Sequence, residues 1–383
     1  MKYLPSNLAR VCFLLCLGGF ATVGATLSAC SDTAGTKPDA GATQTDAAAD
    51  AAKPFVDGKI LRVPVGATGT TFVKLATPEV VNIPGDGKDS TGWDLAFTGY
   101  DIFTNSGPSG KGKSLAFGPY DAIVFLSNSA PEAPFITPDK SGGAFLYWYK
   151  YEGAPSHALW SRFHVFGVKD GDKQWKVQVI GYYGERNGAP VPALYKIRYA
   201  EVTASGSGQT KVVDLLDGTA GGTQGSDTEP SECVDLGSGA RTMLTPAAAA
   251  ASNAWHLCFR RQNISVNGGT GGPRNITAVD LEAEKTPNET VEEVRTRTEA
   301  SELGKFDAVN QAKLANAAFR PDGVVSAFSG LWLAPEDKTK PRPVAWYVIG
   351  ADGKQKFLIG FDGFEGATAS SPGTVVMAVK PVE

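Results

Sequence analysis

The hydrophobic pattern is clearest in residues 93–105, W-D-L-A-F-T-G-Y-D-I-F-T-N. Trp93, Leu95 and Phe97 alternate with polar or small residues, which is the period-2 pattern of a half-buried strand whose large side chains point into a core. After Gly99 the large residues shift by one position, as happens at a β-bulge or a sharp bend. The stretch therefore predicts a strand that changes its buried face at Gly99.

This pattern occurs twice, with an offset of 162 residues. Residues 254–269, A-W-H-L-C-F-R-R-Q-N-I-S-V-N-G-G, align with residues 92–107 without a gap. The identical pairs are Trp93 and Trp255, Leu95 and Leu257, Phe97 and Phe259, Ile102 and Ile264, Asn105 and Asn267, and Gly107 and Gly269. The second copy has His256 where the first has Asp94. The chain therefore contains an internal duplication.

A hairpin pattern is repeated as well. Asp170-Gly171 and Asp352-Gly353 each lie between alternating hydrophobic segments, where Asp-Gly is a strong signal for a tight turn. Their offset of 182 residues exceeds 162, so the second copy is longer in its middle. Apolar residues at helical spacing in that added length predict one helix over residues 306–318. We expect an all-β protein with this helix inserted in its second part.

The N-terminus has the features of a bacterial lipoprotein signal. Lys2 and Arg10 flank the start of an apolar run, residues 11–23, that is too short to span a bilayer. The segment L-S-A-C at residues 27–30 resembles a lipobox, in which the signal peptide, residues 1–29, is cut before Cys30 and the thiol is lipidated. The alternative is an ordinary secretory signal followed by a chance cysteine. A lipidated Cys30 would place the protein on a membrane, and Ser31 favours the outer membrane.

Composition divides the remainder of the chain. Residues 30–54 are rich in Ala, Asp and Thr and nearly free of large apolar residues, which predicts a disordered tether. The length and the duplication predict two tandem domains, residues 55–204 and 205–383. Without the signal peptide the chain has 34 basic and 40 acidic side chains, a net charge of −6, which argues against a nucleic-acid partner.

Two cysteines remain outside the signal and the lipobox, Cys233 and Cys258. An even pair in an exported protein favours a disulfide, and the alternative is a pair of free or buried thiols.

The motif W-D-L-A-F-x-G-Y-D-I-F-T-N-S-G, followed by D-G-D-K-Q-W-K-V-Q-V-I-G-Y-Y, resembles the HmuY family of bacterial lipoproteins. Members of this family are all-β proteins, and its best-known members bind haem. The resemblance covers residues 58–202 and implies two tandem HmuY-like β domains, of which the second is degenerate. It also implies capture of haem or a related tetrapyrrole, free or from a haem-carrying protein.

A haem protein needs an iron ligand such as imidazole, thioether or thiolate. In the first domain the only strong candidates are His157 in a turn-like loop and His164 at the start of a strand, although an exposed loop histidine and a packed strand histidine are the alternatives. The second domain offers His256, Met243 and Met377, and strand alternation predicts that His256 faces away from the aromatic core.

The aromatic run F-L-Y-W-Y-K-Y, residues 145–151, is open to two interpretations: aromatic core packing, or rings at a binding surface. Motifs for zinc hydrolysis, nucleotide binding and α/β-hydrolase chemistry do not occur, so we expect a protein that is not an enzyme. The acidic turns at Asp86 and Asp170 lack a full set of calcium ligands and predict hairpins. The alternative to haem capture is a non-catalytic surface module that binds glycan or a protein partner.

Overall fold

The computed structural model describes residues 55–220 and 228–383. The predicted signal peptide, Cys30 and the predicted tether lie outside the described residues. Strands account for 43% and helices for 11% of the structure, which confirms the all-β class. No helix within the two described ranges is long and apolar enough to cross a membrane.

The described residues contain 23 strands. The first twelve are β1 (Lys59–Val65), β2 (Thr71–Lys74), β3 (Glu79–Val81), β4 (Leu95–Thr98), β5 (Asp101–Thr104), β6 (Leu115–Asp121), β7 (Lys140–Gly142), β8 (Tyr149–Tyr151), β9 (Leu159–Ser161), β10 (Val165–Asp170), β11 (Lys173–Arg186) and β12 (Ala189–Thr203). The others are β13 (Gly206–Ser207), β14 (Lys211–Asp217), β15 (Ser231–Val234), β16 (Arg241–Leu244), β17 (Leu257–Arg260), β18 (Asn263–Val266), β19 (Thr277–Asp280), β20 (Gly323–Val325), β21 (Val344–Ile349), β22 (Lys356–Glu365) and β23 (Gly373–Val382).

The repeated tryptophan motif forms a hairpin instead of one bent strand. In the first copy β4 and β5 pair in antiparallel fashion with Thr98 opposite Asp101, so the change of face at Gly99 is a reversal of the chain. Gly99 has a φ of 53°, a conformation that glycine adopts without steric cost. In the second copy β17 and β18 make the same hairpin, with Arg260 opposite Asn263. Both Asp-Gly hairpins form as predicted, β10 with β11 and β21 with β22.

The two largest sheets do not follow the predicted tandem order. One has the strand order β1-β23-β22-β21-β6, so the beginning of the folded chain pairs with its end. The other, β13-β12-β11-β10-β19 with β14 beside β12, is made entirely from residues between β10 and β19. Each is accompanied by a four-stranded sheet, β3-β2-β4-β5 in the first case and β16-β15-β17-β18 in the second. We call residues 55–139 and 326–383 the outer half, and the described residues of 144–322 the inner half.

The apolar cores show the same division. Leu95 and Phe97 are buried in a core with Trp346, all in the outer half. Leu257 and Phe259 share a second core with Phe166, in the inner half. Each half therefore combines the tryptophan motif of one copy with the Asp-Gly hairpin of the other. The predicted boundary between residues 204 and 205 falls inside the inner half, and the arrangement is nested.

The chain crosses between the halves on two short strands that pair with each other. β7 carries the chain into the inner half and β20 carries it back, and they run antiparallel with Gly142 opposite Gly323. Asp139 and Asp322 immediately precede these two strands. The two crossing segments therefore occupy equivalent positions in the two copies.

The α-helices of the described residues are four single turns: α1 (Pro246–Ala250), α2 (Val291–Arg295), α3 (Leu303–Asp307) and α4 (Gln311–Ala315). Four short 3₁₀ helices make up the rest of the helical residues: Gly107–Ser109, Ala122–Leu126, Ala144–Tyr147 and Ala283–Lys285. The single helix predicted over residues 306–318 is therefore wrong. Asn310 starts a new helix there, because its side chain accepts a hydrogen bond from the backbone N–H of Lys313 as an N-cap. Phe306 and Leu314 are both buried against the inner half, which accounts for the helical spacing.

Cys233 and Cys258 lie opposite each other on β15 and β17 and are joined by a disulfide. Their Cα atoms are 4.0 Å apart. The bond links two neighbouring strands of one sheet.

Candidate functional site

His157, the first predicted haem ligand, lies on an exposed loop between β8 and β9. Its Nδ1 shares a hydrogen bond with the phenol of Tyr151, and the two rings stack with their centroids 5.9 Å apart. Neither of the two cavities described below is lined by His157. This histidine therefore belongs to a surface pair with Tyr151.

The aromatic run at residues 145–151 is divided between core and surface. Phe145 and Trp148 are buried in the inner core. Tyr147 and Tyr151 are 57% and 43% exposed. Core packing is therefore confirmed for Phe145 and Trp148, and a binding surface at Tyr147 and Tyr151 stays a prediction.

His164, the second predicted ligand, is buried between two carboxylates. Its Nδ1 lies 2.8 Å from Asp280 Oδ2, and its Nε2 lies 3.2 Å from both carboxylate oxygens of Glu289. Burial alone would lower the pKa of His164, but hydrogen bonds and charge from Asp280 and Glu289 outweigh burial and raise it. Glu289 is itself paired with Arg162 and Arg297, and these contacts lower its pKa to about 2 despite its burial.

The position of His164 does not fit an imidazole-ligated haem. Both ring nitrogens of His164 are already occupied by carboxylates, so the ring serves to connect β10 to β19 and to the segment before α2. Met377 is fully buried in the outer core, and Cys258 is in the disulfide. Met243 is 49% exposed on β16. The structure does not bring these predicted ligands together.

The third histidine, His256, lies at a polar cavity of about 510 Å³ in the inner half. We call this cavity the His256 pocket; it is lined by Asp170, Asp172, Lys173, Trp175, Asp235, Gly237, Ser238, His256 and Arg274. A second cavity of about 130 Å³ lies beside it and shares Trp175 and Gly237. The pocket is formed where β10 turns into β11, with the loop after β15 and the loop before β19.

His256 is fully buried, with the edge of its ring against Trp175 at a centroid distance of 4.7 Å. Its Nδ1 accepts a hydrogen bond of 3.1 Å from the backbone N–H of Leu236. Asp235 Oδ2 also lies 3.0 Å from Nδ1, but the backbone N–H is a fixed donor, so Nδ1 must be an acceptor. In the neutral ring the proton is therefore on Nε2, which lines the pocket without a hydrogen-bond partner.

The charge state of His256 follows from its surroundings. Burial lowers its pKa, Arg274 lowers it further, and the opposing effect of Asp235 and Asp170 is smaller. The ring is therefore neutral at neutral pH and presents an N–H donor to the pocket.

Arg274 bridges the two carboxylates at the pocket. Its Nη1 donates to Asp235 Oδ2 at 2.6 Å, and its Nε and Nη2 donate to Asp170 Oδ2 at 3.1 and 2.9 Å. Asp235 Oδ1 accepts from the backbone N–H and the hydroxyl of Ser238 at 2.8 and 2.9 Å. Burial would raise the pKa of Asp235, but these hydrogen bonds lower it well below its usual range. The polar wall of the pocket is therefore fixed.

The equivalent site of the outer half is closed. Asp94 replaces His256 there: its Oδ2 accepts from Leu75 N at 2.7 Å, as Nδ1 of His256 accepts from Leu236 N. Its Oδ1 accepts from Ala351 N at 2.7 Å. Ala351 belongs to a turn of six residues, 350–355, which is two residues longer than residues 170–173 of the inner half and lies over Asp94.

Arg274 and Gly112 mark the second difference between the halves. Asn105 and Asn267 accept hydrogen bonds from Gly112 N and Arg274 N respectively, so these two backbones correspond. Only the inner copy has a side chain at this position, and that side chain forms the polar wall. The sequence alignment pairs Asp94 with His256 and Gly112 with Arg274, so both changes could have been noticed. The prediction that His256 faces away from the aromatic core was wrong, because its buried ring packs against Trp175 of the inner core.

The described part of the chain has no group of three or more His, Cys, Asp and Glu side chains arranged to hold a metal ion. No protein-family model matches the chain. A search of curated proteins found no match either.

Proposed function

We propose that this protein is a non-catalytic binding protein of the bacterial envelope that takes a small polar ligand in the His256 pocket. In this proposal lipid on Cys30 anchors it, most simply in the outer membrane, and residues 30–54 hold the folded part away from the bilayer. By flexible-chain scaling such a tether reaches on the order of 25–30 Å.

One observation carries the proposal: the same structural site is closed in the outer half and open in the inner half. In the outer half backbone N–H groups saturate Asp94. In the inner half a fully buried imidazole N–H has no partner, and its neighbours are fixed by an ion pair. Unpaired buried donors are destabilising, so a site that keeps one is suited to binding an acceptor from outside.

The groups at the pocket favour binding over catalysis. The pKa of Asp235 is well below its usual range, so this carboxylate cannot act as a general acid near neutral pH. Ser238 donates its hydroxyl hydrogen to Asp235, which itself accepts from Arg274. His256 accepts through Nδ1 and carries its proton on Nε2, so it is a donor toward the pocket.

The test is a screen of small polar molecules against the mature chain, residues 30–383 with Cys30→Ser, by thermal unfolding. A ligand at a hundred times its Kd should stabilise the fold by about 2.7 kcal/mol. Gly237→Leu should abolish the shift, because Gly237 lines the pocket and a Cβ there would lie 3.3 Å from Asp235 Oδ1 and 3.9 Å from Trp175, so that the added side chain fills the pocket. Ala76→Leu is the matched control, since Ala76 follows Leu75 as Gly237 follows Leu236 in the other half. A shift unaffected by Gly237→Leu would place binding elsewhere.

Haem capture, which the HmuY resemblance implies, is the second candidate. One contact favours it: the exposed Tyr151 phenol is hydrogen-bonded to His157 Nδ1, and tyrosine is one of the side chains that can hold haem iron. In this candidate function Tyr151 would hold the iron through its phenol oxygen, and the His157 imidazole would accept the phenol proton.

Titration of the mature chain with micromolar haemin tests the second candidate. Binding through the pair should sharpen the Soret band, and Tyr151→Phe should abolish the change while His157→Ala weakens it. A spectrum that Tyr151→Phe, His157→Ala and His164→Ala all leave unchanged would remove haem from consideration.

A further inference from the structure

We infer that the His256 pocket binds a neutral polyhydroxylated ligand, that is a carbohydrate, with one hydroxyl bridging His256 Nε2 and Asp170 Oδ2. This inference rests on the proposed function and names its ligand class.

The two bridged atoms need opposite partners. His256 Nε2 carries a proton and lacks an acceptor. Asp170 Oδ2 accepts from Arg274 and, as a carboxylate oxygen, can accept a further hydrogen bond from a donor. The two atoms are 3.4 Å apart and do not hydrogen-bond to each other. A ligand oxygen can lie about 2.8–3.0 Å from both His256 Nε2 and Asp170 Oδ2, which are ordinary hydrogen-bond lengths. A hydroxyl accepts and donates at the same atom, so it satisfies both groups at once.

Charged ligands satisfy only one of the two. An ammonium group has donors but no acceptor, so His256 Nε2 would stay unpaired and buried. A carboxylate or phosphate accepts from Nε2 but brings a negative charge against Asp170. Arg274 offers little compensation, because its single positive charge is already shared between the two carboxylates of Asp170 and Asp235.

The overall charge of the pocket also suits a neutral ligand. Its three carboxylates, Asp170, Asp172 and Asp235, face two cations, Lys173 and Arg274. Because the positive and negative charges nearly balance, the pocket offers hydrogen-bonding groups without a strong electrostatic field of either sign. Asp172 and Lys173 are exposed at the rim, where they can bind further hydroxyls.

The volume distinguishes a ligand from a single bound water. One water could bridge His256 and Asp170, but about 510 Å³ lies in the range of small-molecule sites and far exceeds the share of one water. Trp175 supplies an apolar wall beside the polar groups, which suits the C–H faces of a sugar ring.

The experiment is calorimetric titration of the mature chain, residues 30–383 with Cys30→Ser, with matched sugars of different charge. The neutral probes are glucose, galactose, N-acetylglucosamine, maltose and lactose; the charged probes are glucosamine and glucuronate. We expect at least one neutral sugar to bind, and glucosamine and glucuronate to bind at least tenfold more weakly than that sugar.

Two substitutions at one position give the readout that tests the bridge. His256→Asn keeps an acceptor near the Leu236 N–H but loses the donor at Nε2, so it should weaken neutral-sugar binding at least tenfold. His256→Gln can return an N–H to the Nε2 position and should recover part of that loss. Gly237→Leu should abolish binding and Ala76→Leu should not change it. Circular dichroism of each variant establishes that it is folded.

The outcomes separate this inference from the proposed function. If charged probes bind in a manner sensitive to Gly237→Leu and neutral sugars do not, the carbohydrate inference is wrong and the binding site stands. If neutral sugars bind but His256→Asn has no effect, the hydroxyl bridge is wrong. If none of the probes binds the wild type, and the wider screen also finds no ligand sensitive to Gly237→Leu, both proposals fail.

Discussion

Asp139 and Asp322 hold equivalent positions at the two crossovers, but only Asp139 has both carboxylate oxygens hydrogen-bonded. Asp139 Oδ2 accepts from Thr104 N at 3.0 Å and its Oδ1 accepts from Ala327 N at 2.9 Å. Asp322 Oδ2 accepts from Val266 N at 2.9 Å, the counterpart of the Thr104 contact. Its Oδ1 is buried without a partner. One carboxylate oxygen at the second crossover therefore lacks the hydrogen bond that its counterpart at the first crossover has.

The first prediction concerns the pH dependence of stability at Asp322. Burial raises its pKa from 3.8 to about 7 despite the hydrogen bond from Val266. Between about pH 4 and 7 the folded chain keeps a proton that the unfolded chain has lost, so the unfolding free energy falls as pH rises, by up to about 1.4 kcal/mol per unit. Asp322→Asn should remove that fall. Urea unfolding of both proteins from pH 4 to 8 measures the difference, and parallel curves would contradict it.

Asp139→Asn is the matched comparison for this prediction, and it is made at pH 8 because burial raises the pKa of Asp139 as well, against the opposing effect of its hydrogen bonds. Both oxygens of Asp139 accept from N–H groups, so an amide would turn one NH₂ toward a donor. We expect this substitution to cost about 1–3 kcal/mol at pH 8, where Asp322→Asn should be neutral or stabilising.

The second prediction concerns His164. His164→Leu should destabilise the protein by about 3–5 kcal/mol, because it removes one partner from a buried ionic cluster with Asp280 and Glu289. The raised pKa of His164 means that its contribution is complete below about pH 6.5 and is lost as pH rises through the raised value. The gap between wild type and variant should therefore be larger at pH 6 than at pH 9. His157→Ala, on an exposed loop, should stay within about 0.5 kcal/mol of wild type.

The third prediction tests the nested arrangement. Trp93 and Trp255 are each 1% exposed, and replacing either by alanine should cost about 3–5 kcal/mol. Under partial destabilisation, hydrogen exchange in Trp93→Ala should increase in the outer half, including β21, β22 and β23, and less in β10 to β12. Trp255→Ala should show the reverse. Loss of protection from Trp93→Ala in β10 to β12 instead would restore the tandem arrangement.

The fourth prediction concerns anchoring. Cys30→Ser should leave the chain without lipid, because the acyl chains need that thiol, and should release it from the membrane fraction. Metabolic labelling with a radioactive fatty acid measures the attachment. Label that persists on the variant would contradict the lipoprotein proposal.

Local patterns along the sequence were sufficient for the all-β class, the Asp-Gly hairpins and the duplication, and they favoured the pairing of Cys233 with Cys258. These features depend on alternation and turn residues within a few positions, or on a single choice of partner. The prediction of one helix over residues 306–318 was wrong because it used the apolar spacing alone. Apolar spacing indicated one helix, but the Asn310 side chain caps a second one.

The sequence by itself determined that this is an all-β protein built from two copies of one motif. Only the tertiary structure decided which hairpin joins which tryptophan motif, because either combination buries the same apolar side chains and local periodicity cannot distinguish them. The chain crosses between the halves on β7 and β20, which pair with each other, so the Asp-Gly hairpin of each copy lies in the half that contains the tryptophan motif of the other. The His256 pocket has the same origin: Asp170, Asp235 and Arg274 are far apart along the chain, and they converge because four separate loops of the inner half meet at one end of its sheets.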